Sequence, residues 1–135
     1  MATTVQHLAN SAPEIPAGMS YEEFLAWLDE DTHAEWIDGQ VIIMSPASRK
    51  HQSVAGLLFE LLSEFVVEHD SGEIIQCPFQ MKLPVRPSGR EPDVLFVAKE
   101  RCGLLHDTYM DGPADLVVEV ISKESRGRDT LDIRE

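Results

Sequence analysis

Basic residues are missing from the first third of this chain. No Lys or Arg precedes Arg49, and the 135 residues carry a net charge of −13. Broad affinity for nucleic acid depends on Lys and Arg that neutralise phosphates, so the overall charge argues against a uniformly basic nucleic-acid binder. The later basic residues are clustered, which leaves two interpretations open: a solvated acidic half, or a protein with one basic working face.

Long hydrophobic runs, an export signal and paired cysteines are also absent. The longest apolar runs are too short to predict a membrane span, and the first residues lack the basic and apolar regions of a secretory signal. Cys77 and Cys102 form no CxxC pair, so we expect reduced thiols in a cytoplasmic protein. Length and 43% hydrophobic content predict one globular domain over residues 19–135, after a flexible tail at 1–18.

Local patterns predict the first half of the fold. Ser20 and Glu23 form a capping box that predicts a short helix, and Asp38-Gly39 between two β-prone runs predicts a hairpin with a type I′ turn. Ser48 is a suitable cap for a long helix whose apolar residues repeat at helical spacing. Its expected inward stripe comprises Val54, Leu57, Leu58, Leu61, Leu62 and Phe65.

Three strands are predicted in the second half. They cover residues 72–85, with a bend at Pro78, then 92–99 and 114–122, and residues 86–91 read as a turn. We expect 114–122 to be the central, buried strand and a further helix to start after it. This order predicts an α/β (α+β) fold with a mixed β-sheet packed against the long helix.

Two carboxylates are candidates for a metal site. Asp93 follows Pro92 at the start of a strand, where it either binds a ligand or caps a turn. Glu119 interrupts an apolar run. A buried ionised carboxylate needs a cationic partner, either an arginine or a metal ion, unless it lies in a water-filled cleft. Two carboxylates at strand ends can hold Mg²⁺, which activates water and neutralises a phosphate oxygen.

Glu35 and His51 are weaker candidates. Glu35 precedes the predicted hairpin turn and is either a third ligand or orienting group, or an exposed acid on an edge strand. His51 opens the long helix and is either a general base or phosphate contact, or a histidine satisfied within the core. No P-loop, GxGxxG, HExxH, zinc-knuckle or GxSxG motif occurs.

Three segments together resemble one family. "AEWIDGQVIIMSPASRKHQ", "EPDVLFV" and "DLVVEVISKESRGRD", in this order, are similar to the Uma family of restriction endonucleases in the PD-(D/E)XK nuclease superfamily, over residues 19–135. The resemblance implies a restriction-endonuclease-like mixed sheet flanked by helices and metal-dependent hydrolysis of DNA. Pro92-Asp93 and Glu119 match the superfamily acids, which implies that Asp93 and Glu119 bind Mg²⁺ or Mn²⁺, with Glu35 and His51 at the rim.

The sequence departs from the superfamily pattern at one position. The superfamily lysine belongs two residues after Glu119, where this chain has Ile121. Lys123 and Lys82 are candidate replacements, or else solvated surface lysines. Family members usually continue into a final helix and strand, so we interpret the chain as either a truncated product or a degenerate copy.

Two functional hypotheses follow. The first is a DNA endonuclease, with Glu35, His51, Asp93, Glu119 and Lys123 in the catalytic site. Basic side chains would contact the DNA, and a homodimer would let each protomer cut one strand; these side chains are Arg49, Lys50, Lys82, Arg126 and Arg128. The second is a catalytically inactive nuclease-fold module that binds nucleic acid or a protein partner. The missing lysine and the acidic net charge favour the second.

Overall fold

The structure, a computed structural model, describes residues 17–84 and 86–121. Its two α-helices are α1 (Tyr21–Trp27) and α2 (Arg49–His69), and a 3-10 helix covers Lys99–Leu104. The first four strands are β1 (Ala34–Ile37), β2 (Gln40–Ile43), β3 (Gly72–Gln76) and β4 (Gln80–Leu83). The other four are β5 (Ser88–Arg90), β6 (Val94–Ala98), β7 (Tyr109–Met110) and β8 (Leu116–Val118). Most of the predicted tail lies outside the described residues.

The two helix starts and the first hairpin form where the local sequence predicts them. The Ser20 hydroxyl accepts a hydrogen bond from the Glu23 amide at 3.1 Å and caps α1, and Ser48 caps α2 in the same way through His51. Asp38 and Gly39 adopt φ of 48° and 87°, as a type I′ turn requires, and join β1 to β2. Both helix starts and the hairpin are therefore confirmed.

The strands form two sheets. The five-stranded sheet has the order β2-β1-β5-β4-β7 and is mixed, because only β4 and β7 pair in parallel. The described three-stranded sheet has the order β3-β6-β8 and is antiparallel throughout. Helix α2 packs on β3 and, to a smaller extent, on β6. The predicted α+β class with a mixed sheet and flanking helices is confirmed.

The predicted turn at 86–91 is wrong for its central part. Ser88–Arg90 is β5, an interior strand paired with both β1 and β4. A Cβ on Gly89 would come within 2.1 Å of the Tyr21 ring, so glycine is required where α1 crosses this strand. The strand is held by distant partners and not by its own propensity, which is why local composition indicated a turn.

The predicted central strand is also corrected. Within the described residues β8 lies at the edge of the three-stranded sheet and β6 is central. Three apolar side chains of this segment are 38 to 50% exposed, namely Leu116, Val117 and Ile121. Glu119 follows the strand end and is itself exposed. The carboxylate is therefore not buried, because an edge strand with one described neighbour cannot cover it.

The apolar stripe of α2 divides into two faces. Leu58, Leu62 and Val66 turn inward, whereas Val54, Leu57, Leu61 and Phe65 are 40 to 57% exposed. The helix contacts mainly one strand, β3, so the sheet covers only part of its apolar surface. The predicted inward orientation of the whole stripe is wrong for these four residues.

Two core clusters surround the junction between the sheets. One contains Met19, Tyr21, Phe24, Ala34 and Trp36, and the other contains Met81, Leu95, Val97 and Met110. The connection from β3 to β4 and the connection from β5 to β6 both pass from one sheet to the other. These two crossings, at residues 77–79 and 91–93, bring polar side chains from separate parts of the chain together.

Candidate active site

Asp93 and Glu119 are placed by the register of β6 and β8. Val94 pairs with Val118 at the last pair of this ladder, and Asp93 and Glu119 are the residues that flank this pair on the two strands. The register of β3 and β6 likewise sets Cys77 opposite Asp93, and the Cys77 amide donates to the Asp93 carbonyl at 2.9 Å. Opposite residues of antiparallel strands share a face, with Cβ atoms about 4.5–5.5 Å apart. We call Cys77, Asp93 and Glu119 the acid row.

Asp93 links this row to two other elements. Its Oδ2 accepts a hydrogen bond from the Val120 amide at 2.7 Å and lies 3.2 Å from Nε2 of His51, in the first turn of α2. His51 Nδ1 is buried and has no hydrogen-bond partner among the described residues. His51 is thus not a fully satisfied core histidine, because it contacts the carboxylate with one nitrogen while the other is buried without a described partner.

The potential at the acid row is strongly negative. Burial raises the pKa of the Cys77 thiol far above its ordinary value, and the nearby carboxylates of Glu91, Asp93 and Glu119 raise it further. Three separate carboxylates therefore act on one sulfur. A site of this charge favours a bound cation.

Glu35 is buried on β1, an interior strand. Its Oε1 lies 3.0 Å from Arg90 Nη1, and its Oε2 accepts from the Glu91 amide at 3.0 Å. The alternative of an exposed acid on an edge strand is therefore wrong. Glu35 fixes the backbone two residues before Asp93, which is an orienting position.

Glu91 is a polar residue that the sequence did not single out. Its buried Oε1 lies 2.7 Å from Nδ1 of His33 and 3.1 Å from Sγ of Cys77. Its Oε2 accepts hydrogen bonds from the Ala34 amide and the Gln80 side chain, both at 3.3 Å. We call His33, Cys77 and Glu91 the junction cluster. The available signal was weak: Cys77 and Glu91 each precede a proline where the chain changes sheet.

The basic residues fall into three groups. Arg49 and Lys50 are exposed in the first turn of α2, directly before His51. Lys82 lies 3.4 Å from the Glu22 carboxylate and 5.7 Å from the centre of the Tyr21 ring. Lys123, Arg126 and Arg128 lie outside the described residues. The lysine replacement at Lys123 and all five DNA contacts stay predictions.

The two carboxylates of the acid row suit a hard divalent cation. Asp93 and Glu119 contribute carboxylate oxygens, which Mg²⁺ and Mn²⁺ prefer, from two neighbouring strands. Glu119 is exposed, so water can fill the remaining coordination positions. The assignment of Asp93 and Glu119 as metal ligands stays a prediction, with the two residues at adjoining strand ends.

Comparison with known proteins agrees with this fold. A family model described as "Putative restriction endonuclease", Uma2, matches residues 21–135. A crystal structure of "a putative nuclease belonging to DUF820" from Anabaena variabilis ATCC 29413 is similar, with a TM-score of 0.70 at 16% sequence identity. The similarity covers 86% of this chain and 66% of that one. No curated protein matches the sequence.

At this low identity the likeness to the solved structure shows a shared fold. The chain belongs to the Uma2 restriction endonuclease family, since the family model spans most of its length. It spans just under two thirds of the structural neighbour's length. No helix within residues 17–84 and 86–121 combines the length and apolar composition needed to cross a bilayer.

Proposed function

We propose that the protein is a metal-dependent DNA endonuclease whose acid pair, Asp93 and Glu119, binds Mg²⁺ or Mn²⁺. The observation that carries the proposal is the pairing of Val94 with Val118, because Asp93 and Glu119 are the next residues at these two adjoining strand ends. Family membership supports the reaction class, and the hard oxygen donors support the choice of ion. Such an ion, when bound, activates a water molecule and neutralises charge on the scissile phosphate.

The other residues act by position. The Val120 amide and His51 Nε2 hold Asp93 Oδ2, which fixes the orientation of the carboxylate. His51 acts on the site through Nε2, which faces the carboxylate, because its Nδ1 is buried and does not reach solvent. Arg49 and Lys50 are exposed beside it and neutralise the DNA backbone. Lys123 supplies the cation that Ile121 cannot.

One observation favours the alternative of a catalytically inactive module that binds nucleic acid or a protein partner. The superfamily places a lysine at position 121, and this chain has a half-exposed isoleucine there. Loss of one donor to the transition state typically lowers a rate by about 10²–10³. The two proposals therefore differ in rate and not in fold.

Cleavage of supercoiled plasmid separates them. With Mn²⁺ or Mg²⁺ the wild type should nick the plasmid, and EDTA should stop it. Asp93→Asn and Glu119→Gln should each lower the rate by about 10³ or more, since the lost metal stabilisation is several kcal/mol. Glu68→Gln, which changes an exposed acid at the far end of α2, should cleave like wild type. Cleavage that persists in Asp93→Asn would contradict the endonuclease proposal.

A homodimer is a further proposal, supported by the exposed apolar residues of α2. Leu57 and Leu61 lie one turn apart on this face and are each 56% exposed. If two copies bury this face together, Leu57→Glu with Leu61→Glu should convert the dimer to a monomer in light scattering. A wild type that is monomeric at high concentration would exclude it.

A further inference from the structure

The junction cluster has the composition of a second, different metal site. His33 directly precedes β1, Cys77 directly follows β3, and Glu91 directly follows β5. One ligand atom from each residue lies within 4.8 Å of the other two. Three strand ends from distant parts of the chain thus place an imidazole, a thiol and a carboxylate around one point.

We propose that His33, Cys77 and Glu91 bind a borderline divalent cation of the Zn²⁺ class, with water in the fourth position. A thiolate and an imidazole select Zn²⁺ over Mg²⁺, whereas the all-oxygen pair of Asp93 and Glu119 selects the opposite. The two sites would lie side by side, because Cys77 is also part of the acid row.

The distances fit a tetrahedral ion after a small adjustment. With bonds of about 2.0 Å to nitrogen and oxygen and about 2.3 Å to sulfur, tetrahedral edges are about 3.3 Å for N···O and about 3.5 Å for contacts with sulfur. The corresponding separations are 2.7 Å for His33–Glu91, 3.1 Å for Cys77–Glu91 and 3.8 Å for Cys77–His33. Side-chain rotations suffice for such changes.

The surroundings already orient the ligands. Glu91 Oε2 is held by the Ala34 amide and Gln80, which leaves Oε1 pointing at His33 and Cys77. Such outer hydrogen bonds are typical of metal-binding carboxylates. The Gln80 amide is fixed in turn by the Ala34 carbonyl at 2.8 Å and the Tyr21 hydroxyl at 3.2 Å.

The protons balance simply. When the cation enters, the thiol of Cys77 loses its proton to solvent and the sulfur binds as thiolate. His33 binds as neutral imidazole through Nδ1 with its proton on Nε2, and its side chain is 46% exposed, so water can reach the ion. A metal here would tie the start of β1 to the ends of β3 and β5.

Cobalt binding tests the proposal without any activity measurement. Reduced, untagged protein titrated with Co²⁺ should develop a thiolate-to-cobalt charge-transfer band that saturates at one ion per chain and disappears when Zn²⁺ is added. Cys77→Ser should lose the band. Cys102→Ser should keep it, because Cys102 contacts the carbonyls of Val97 and Ala98 and not the cluster.

Two further outcomes decide the assignment. Zn²⁺ at about a hundred times its dissociation constant should raise the Tm of wild type and Cys102→Ser by about 10 °C and leave Cys77→Ser unchanged. Asp93→Asn should retain the cobalt band. No band in folded wild type, a band lost in Cys102→Ser, or a band lost in Asp93→Asn would each overturn the site. None of these results depends on nuclease activity.

Discussion

The acid pair and the buried acids near it contain the same functional group in opposite surroundings. Glu35 and Glu91 are buried, and both oxygens of each accept contacts from neighbouring groups. Asp93 and Glu119 lie at strand ends beside a histidine with an unpartnered nitrogen, and Glu119 is exposed. Glu35 is fully engaged by Arg90 and the Glu91 amide. Glu91 holds the Ala34 amide and Gln80 with Oε2 and turns Oε1 towards His33 and Cys77, whereas the exposed Glu119 is open to water.

The largest expected effect on stability comes from Glu35. Glu35→Ala removes the carboxylate that contacts the partly buried Arg90 guanidinium and accepts from the Glu91 amide, which should lower the free energy of unfolding by about 3–5 kcal/mol. Urea denaturation measures this. The matched change at an exposed acid, Glu30→Ala, should cost less than about 0.5 kcal/mol.

Asp93→Asn tests whether Asp93, unlike Glu35, contributes little to stability. The amide oxygen can still accept from Val120, so the cost should stay near 1 kcal/mol even though cleavage is lost. If Asp93→Asn destabilised the chain as much as Glu35→Ala, the division between structural and functional acids would fail.

The Cys77 thiol should make the free energy of unfolding of the metal-free protein depend on pH. Burial and the carboxylate of Glu91 raise the pKa of its thiol, whereas the unfolded thiol ionises near pH 8.5. The folded state thus holds a proton that the unfolded state releases, so its stability contribution is full below about pH 8.5 and is lost as pH rises. Between about pH 9 and 10 the free energy of unfolding should fall by up to about 1.4 kcal/mol per pH unit.

The control for this slope is Cys77→Ser, measured in the presence of a chelator. In this variant the free energy of unfolding should fall less steeply over the same pH range, because the proton of the Cys77 thiol no longer contributes. Identical slopes in the two proteins would show that the negative potential around Cys77 is weaker than the geometry indicates.

The smallest expected effect on stability comes from the hydrogen bond between Tyr21 and Gln80, which lies next to the junction cluster. Tyr21→Phe removes the hydroxyl that donates to Gln80 and should cost about 1 kcal/mol in thermal or urea unfolding. In the presence of Zn²⁺ the loss should be no larger, since Gln80 keeps its contacts with Ala34 and Glu91. A loss above about 3 kcal/mol would mean that Gln80 depends on Tyr21 for its position.

The elements that the sequence predicted correctly depend on neighbours in the chain. Ser20, Ser48 and the Asp38-Gly39 turn act within a few residues, so their geometry is visible in short segments. Strand β5 and the edge position of β8 depend on pairing with distant strands, and composition carries little of that information. The exposed face of α2 was missed for the same reason.

The candidate site shows the same division. Asp93, Glu119 and His51 were singled out from their position at element ends and from family motifs. The fold places His51 against Asp93 and Glu119 at the adjoining strand end, and their catalytic roles stay predictions. Glu91 and His33 were missed because nothing local distinguishes a buried glutamate from one in a turn. Their role becomes visible only when the strand ends meet at the sheet junction.

A crystal grown with Mn²⁺ and measured for anomalous scattering shows whether Asp93 and Glu119 bind the same metal ion. We expect one strong anomalous peak at the acid row, about 2.2 Å from an oxygen of Asp93 and from an oxygen of Glu119. The peak should vanish in Asp93→Asn while the fold is unchanged. A peak bound by only one of these carboxylates, or none at this position under conditions that support cleavage, would contradict the account.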